Sequence, residues 1–170
     1  MKPIIHIIGL PGAGKTTLSK KLAGKFKVSV YYIGKYRSKF PETITGEADA
    51  WINLFYDLSK RKWKNCILET TGLNRRECFL RAAFPFGTVA TIKLEAKKSI
   101  LYGRIKKKKK SEQGGEWLFS TAYKNKQEFV KKLFGEFKRV PADIKINTDN
   151  LTKWEIYRIA VSELKKWGFS

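Results

Sequence analysis

Apolar positions follow two rhythms along this chain. Short β-rich blocks alternate with stretches in which apolar residues recur every three or four positions. The blocks Ile4-Ile5-His6-Ile7-Ile8, Val28-Ser29-Val30-Tyr31-Tyr32-Ile33, Cys66-Ile67-Leu68-Glu69, Thr88-Val89-Ala90-Thr91-Ile92-Lys93-Leu94-Glu95 and Ala142-Asp143-Ile144-Lys145-Ile146 read as strands. Leu18-Ser19-Lys20-Lys21-Leu22-Ala23 opens a helix that Gly24 is expected to end. A second helix is predicted over 46–64, with Ala48, Trp51, Ile52, Leu54, Phe55 and Leu58 on its apolar side. Residues 96–110 have helical character through Ser99-Ile100-Leu101-Tyr102. Residues 117–137 read as a helix with Phe129, Val130, Leu133, Phe134 and Phe137 on one face. Thr152-x-x-Glu155 is a capping box that opens the last helix, whose buried side is Ile156, Ile159, Ala160, Leu164 and Trp167. Strands separated by helices predict a parallel sheet covered on both faces. The length of 170 residues predicts one domain, 1–170, without repeat or linker.

The junction after the first strand carries the chemistry. Gly9-Leu10-Pro11-Gly12-Ala13-Gly14-Lys15-Thr16-Thr17 fits G-x-x-x-x-G-K-[ST] between a strand and a helix. Glycines there let backbone N–H groups turn inward around an anion, and the helix N-terminus adds its partial positive charge. Gly9, Gly12, Ala13, Gly14, Lys15, Thr16 and Thr17 are the expected ATP-binding residues. Lys15 reaches the β- and γ-phosphates, and the Thr16 hydroxyl ligates Mg²⁺. The expected fold is α/β: a P-loop NTPase core of the kinase type, a three-layer sandwich on a mostly parallel five-stranded sheet. There is no N-K-x-D guanine motif.

Glu69 ends the strand expected beside the phosphate-loop strand. A carboxylate there holds Mg²⁺, usually through water, or orients the nucleophile. Strand two is expected to end at Gly34 and run into a basic loop, Lys35-Tyr36-Arg37-Ser38-Lys39-Phe40-Pro41. Arg37 in that loop is a candidate contact for the acceptor. Lys97, Lys98, Arg104 and 106–110 form a cationic run with no acidic residue, followed by Ser111-Glu112-Gln113-Gly114-Gly115. A helix, a basic stretch and a hinge make an expected lid over the phosphates at about 97–115. His6, inside the first strand, reads as a satisfied core or edge histidine rather than a catalytic base.

Charge extends the picture. Lys+Arg 36 against Asp+Glu 15 gives +21. Such a field attracts polyanions. Nucleic acid is the expected partner, DNA ahead of RNA, with an anionic membrane surface second and no membrane partner retained. Cys66 and Cys78 are too few for a disulfide framework and read as buried thiols. The first apolar run is short, no leader is expected, and free thiols with ATP chemistry suggest a cytoplasmic setting.

Ile33-Gly34-Lys35-Tyr36-Arg37 and Leu68-Glu69-Thr70-Thr71-Gly72-Leu73-Asn74-Arg75-Arg76, with the phosphate loop, resemble the kinase domain of phage-type polynucleotide 5′-kinases. The chain is also similar in size and basicity to phage kinases of 5-hydroxymethyluracil in DNA. The resemblance implies that Arg104 is a lid arginine. With Lys15 it neutralises charge on the transferred phosphoryl group, and the implied catalytic set is Lys15, Glu69 and Arg104. Thr16 and Glu69 organise the metal. Lys35, Arg37, Arg75 and Arg76 hold the acceptor. Lys35 replaces the family's aspartate, so the general base passes to Glu69, Glu42, Glu47 or Asp49, or the acceptor differs. The expectation is an ATP- and Mg²⁺-dependent kinase acting on a nucleic-acid hydroxyl. A small-molecule kinase and a non-catalytic ATP-binding module are the alternatives.

Overall fold

A computed structural model describes residues 4–41, 43–60, 62–63, 65–73, 79–80, 83, 85, 88–107 and 125–169. In chain order they form β1 (Ile4–Gly9), α1 (Lys15–Phe26), β2 (Ser29–Tyr32), α2 (Ile33–Arg37), α3 (Ile44–Lys60), β3 (Cys66–Thr70), β4 (Val89–Glu95), α4 (Lys98–Lys107), α5 (Lys126–Arg139), β5 (Ile144–Asn147) and α6 (Lys153–Lys166).

The sheet order is β2-β3-β1-β4-β5. Every pairing is parallel, including Ile7 opposite Glu69 and Ile92 opposite Ile144. A parallel sheet is buried on both faces, which is why β1 reads as an unbroken apolar run. Ile5, Ile7, Leu18, Leu22, Phe129, Phe137, Ala160 and Leu164 belong to one core, on the side of α1, α5 and α6. Ile4, Trp51, Leu54, Leu58, Trp63, Leu68 and Phe79 form the other, on the side of α2 and α3. Because all strands run the same way, Gly9, Tyr32, Thr70, Glu95 and Asn147 end at one edge. The connection after β1 runs toward β2, and the one after β4 toward β5. The crevice outside their carboxyl ends is where this topology places ligands.

Several boundaries differ from expectation. β2 stops at Tyr32, opposite Glu69, one residue before its partner strand ends at Thr70. Ile33 and Gly34 therefore open α2, and the expected basic loop is partly helix, with Ile33, Tyr36 and Arg37 buried. α1 runs through Gly24 and is ended by Lys27 in the left-handed region at φ 53°. α3 spans 44–60, and its expected core residue Ile52 is 63 % exposed. α5 begins at Lys126, where Asn125 accepts hydrogen bonds from the N–H groups of Gln127 and Glu128. The expected helix over 117–124, Cys78, and the lid at 108–115 lie outside the described residues. The capping box at Thr152 and Glu155 forms as its residue types predict.

One core position ran against its composition. Lys93 on β4 is fully buried. Its Nζ donates to the carbonyls of Lys138 at 2.9 Å and Val140 at 3.0 Å, at the C-terminal end of α5. Glu95 Oε1 lies 2.7 Å away. A cation there meets both the negative helix end and its unpaired carbonyls. His6 is the expected core histidine, with Nε2 2.9 Å from Thr70 Oγ1.

Candidate active site

Residues 9–17 bend as the motif requires. Gly12 and Gly14 adopt φ 85° and 98°, and the Ala13 N–H donates to the Leu10 carbonyl at 3.1 Å. At Gly12 a Cβ would stand 2.8 Å from the Leu101 carbonyl and 3.3 Å from the Ile105 side chain. The loop is thus pressed under α4, and only glycine satisfies both the dihedral and the contact. No acidic residue occupies the first turn of α1. The partial positive charge of that helix end faces the loop without a competing side-chain anion in that turn. Lys15 Nζ lies 3.5 Å from the Leu10 carbonyl, folded back over the loop.

β3 brings Glu69 to this loop from 53 residues away: Thr16 Oγ1 donates to Glu69 Oε1 at 2.9 Å. Ser19 Oγ donates to Glu69 Oε2 at 3.0 Å. Sequence reasoning missed Ser19, although its place three residues after Thr16 on one helix face was a usable signal. A hydroxyl and a carboxylate beside a phosphate loop are hard oxygen donors and fit Mg²⁺, which keeps several waters and phosphate oxygens as ligands. Among the described residues no group of three or more His, Cys, Asp or Glu is placed to hold a metal ion. After Glu69, Thr70 Oγ1 accepts the Gly72 N–H at 2.9 Å. Gly72 at φ 80° lies against Ile8, where a Cβ would come within 2.7 Å. A glycine at position 72 is therefore required by packing on β1.

The expected acceptor residues separate. Lys35 on α2 is exposed, with Nζ 5.3 Å from the Tyr32 ring centroid. Arg37 is not a solvent-facing loop cation. It is 4 % exposed, and its Nε and Nη2 donate to Glu47 Oε2 at 2.7 Å and Oε1 at 2.6 Å. Glu47 Oε1 also accepts from Trp51 Nε1 at 2.8 Å. This network ties α2 to α3, and it engages both oxygens of a carboxylate considered as general base. Asp49 is exposed on α3. Glu42, Asn74, Arg75 and Arg76 lie outside the described residues. Arg104 faces Thr148: Nη1 donates to Oγ1 at 2.8 Å and Nη2 to the carbonyl at 2.6 Å. Its two terminal nitrogens bind the loop after β5, an arrangement that the lid-arginine expectation did not foresee.

A five-stranded parallel sheet of this order, with a phosphate loop after its first strand, is a P-loop kinase core. The chain belongs to the AAA domain family, whose model matches residues 5–131. A comparison with curated protein sequences gives no match. Solved structures share the fold. A gluconokinase from Sinorhizobium meliloti 1021 superposes with TM-score 0.66 at 16 % identity, covering 97 % of this chain and 93 % of that one. The shikimate kinase of Aquifex aeolicus gives 0.61 at 19 %, covering 96 % of each. The APS kinase CysC of Mycobacterium tuberculosis, in complex with AMPPNP and APS, gives 0.64 at 10 %, covering 96 % and 97 %. The family match, the phosphate loop and the shared architecture give the chain a P-loop kinase fold.

These likenesses correct the expected acceptor. The similar structures are named as kinases of small molecules, and none of these findings points to a phage nucleic-acid kinase. Neither the nucleic-acid acceptor nor the nucleic-acid partner stands. The reading went astray at the charge: a net +21 is a sum over the surface and attracts any anion without specifying the shape of the site. No helix among the described residues is long and apolar enough to cross a membrane.

Proposed function

We propose that this chain transfers the γ-phosphoryl group of ATP to a hydroxyl of a small anionic molecule, with Mg²⁺. The observation that carries the reading is the Thr16–Glu69 contact of 2.9 Å at the mouth of the phosphate loop. It joins the phosphate-binding and the metal-organising elements at one point. The small-molecule acceptor is supported by the similar structures, named for gluconate, shikimate and APS. An acid group on it is supported by the exposed Lys35 beyond the end of β2 and by the cationic surplus.

In this reading Gly9, Gly12, Ala13, Gly14 and Thr17 shape the loop around the phosphates. Lys15 neutralises charge developing on the γ-phosphoryl group. Thr16 holds the metal and Glu69 orients it. Mg²⁺, held by Thr16 and oriented through Glu69, would supply neutralisation of the phosphate charge. The acceptor oxygen attacks the γ-phosphorus, the bond to the β–γ bridging oxygen breaks, ADP leaves, and the hydroxyl proton passes to solvent or to a nearby carboxylate. A loose transition state demands little of a base, so positioning and charge carry the rate. Arg75 and Arg76 contact the acceptor. Residues 97–115 act as a lid within the single domain 1–170, and Arg104 anchors its base through Thr148. Reliance on ATP places the enzyme inside the cell.

The test is ADP release by the purified protein with ATP and Mg²⁺ against a panel of hydroxy acids, sugar acids, nucleosides and nucleotides, with a 5′-hydroxyl oligonucleotide as control. Stimulation by a small acid and none by the oligonucleotide is the expected result. Stimulation by no member of the panel overturns the proposal.

A further inference from the structure

Glu69 is gripped from two sides, and one of the two grips is not part of the phosphate-loop motif. Thr16 Oγ1 donates to Oε1 at 2.9 Å. Ser19 Oγ lies 3.0 Å from Oε2 and 3.2 Å from the Thr16 carbonyl. Ser19 is 0 % exposed and Glu69 is 6 % exposed. Both hydroxyls leave the same face of α1, one turn apart, and β3 delivers the carboxylate between them.

The geometry has a chemical consequence. A glutamate carries one more rotatable bond than an aspartate, and its terminal torsion is broad. Held at one oxygen, the carboxylate can swing about that bond. Held at both, its plane is set. While Thr16 Oγ1 keeps its proton on Glu69 Oε1, its lone pairs remain for another partner. In a hydroxyl at the start of α1, beside the phosphate loop, that partner is a cation on the phosphates.

We propose that Ser19 is a positioning residue for Mg²⁺: by holding Glu69 Oε2 it keeps Oε1 on the Thr16 proton and aims the Thr16 lone pair at the metal. Glu69 then serves as the acceptor that orients Thr16 and does not ligate Mg²⁺ directly. Groups that orient a metal ligand this way change metal affinity by about 10- to 100-fold when removed. The inference rests on the proposed reading that the loop takes a nucleotide with Mg²⁺.

The experiment is calorimetric titration of ADP into the full chain, once with Mg²⁺ and once with EDTA. The proteins are the unmodified chain, Ser19→Ala, Ser19→Thr, Glu69→Gln and the Ser19→Ala/Glu69→Gln pair. The unmodified chain binds ADP more tightly with Mg²⁺. Ser19→Ala loses about 10-fold of that gain and keeps its affinity in EDTA. Ser19→Thr, which keeps the hydroxyl, restores the gain. The double variant falls no further than Glu69→Gln, because both changes cut one chain of contacts. Equal losses in Mg²⁺ and EDTA for Ser19→Ala mark a merely structural hydroxyl and overturn the inference. So do a full Mg²⁺ gain in Ser19→Ala and additive losses in the pair. The unmodified chain showing no gain from Mg²⁺ overturns the metal reading itself, and the role of Ser19 with it.

Discussion

Arg37 and Glu47 meet two-on-two inside the protein, Nε on Oε2 at 2.7 Å and Nη2 on Oε1 at 2.6 Å. The guanidinium side chain is 4 % exposed and the carboxylate side chain 20 %. Breaking a buried pair from one side leaves an uncompensated charge, at a cost of about 3 kcal/mol. Arg37→Ala is therefore expected to lower the urea unfolding midpoint by that equivalent. Arg37→Lys recovers little, because an ammonium cannot reproduce the planar fork. If Arg37→Ala kept its midpoint and only raised the acceptor KM, Arg37 would be an acceptor contact after all.

Lys15→Ala tests the phosphate loop. Removing a charge-stabilising donor at a transferring phosphoryl group costs about 10²- to 10³-fold in turnover. The fold stays intact, since Lys15 is only half-buried and its hydrogen bond to the Leu10 carbonyl is long, at 3.5 Å. Steady-state ADP release and circular dichroism read the two properties separately. Normal turnover in this variant would sink the kinase assignment.

Gly12→Ala tests the pressure of α4 on the loop. The substitution places a Cβ 2.8 Å from the Leu101 carbonyl at a φ of 85°. Backbone on one side and strain on the other leave nothing cheap to move, and the left-handed conformation alone costs about 1–2 kcal/mol. Nucleotide affinity, measured by fluorescent-analogue titration, is expected to fall about 10-fold or more, the equivalent of that strain. Unchanged affinity would mean that α4 does not press on the loop as described.

Lys93→Met tests the buried ammonium. The methionine fills the volume but leaves the Lys138 and Val140 carbonyls without their donor. Each buried group left unsatisfied costs about 1–3 kcal/mol. Chemical denaturation is expected to show a loss of about 2–4 kcal/mol. A neutral or stabilising result would show that the end of α5 finds other donors.

Cys66 tests burial of β3. Desolvation pushes its thiol up to about 12 from 9.0. An acid with a raised folded value contributes stability that is complete below its unfolded value, and that stability is lost as pH rises toward 12. Unfolding midpoints should therefore fall above about pH 9. In native protein at pH 8, mass-spectrometric mapping should find Cys66 unalkylated by iodoacetamide until urea is added. Rapid native labelling would contradict the burial.

The phosphate loop was readable because its chemistry is backbone chemistry on contiguous residues: glycines, a lysine and a threonine at set spacing need nothing from the rest of the chain. The strands were readable because β-rich blocks buried on both faces leave an apolar run. Even the meeting of Thr16 and Glu69 followed from position, since parallel strands in this topology end at one edge. Sequence spacing also carried the Thr152–Glu155 cap, which is local by construction.

Other features depended on residues far apart in sequence, and no local pattern announced them. Arg37 was one more cation in a basic stretch until α3 folded Glu47 against it. Lys93 was one more residue of an expected strand until the end of α5 arrived over it. Arg104 found Thr148 only because β5 lies beside β4. The surplus of charge, read alone, pointed to the wrong acceptor, because a sum of charges has no shape. What the sequence determined by itself was the phosphate loop and the parallel α/β frame, both set by short-range spacing. What tertiary structure alone decided was which charges are spent inside the protein and which remain to meet a substrate, because pairing depends on distances that folding creates.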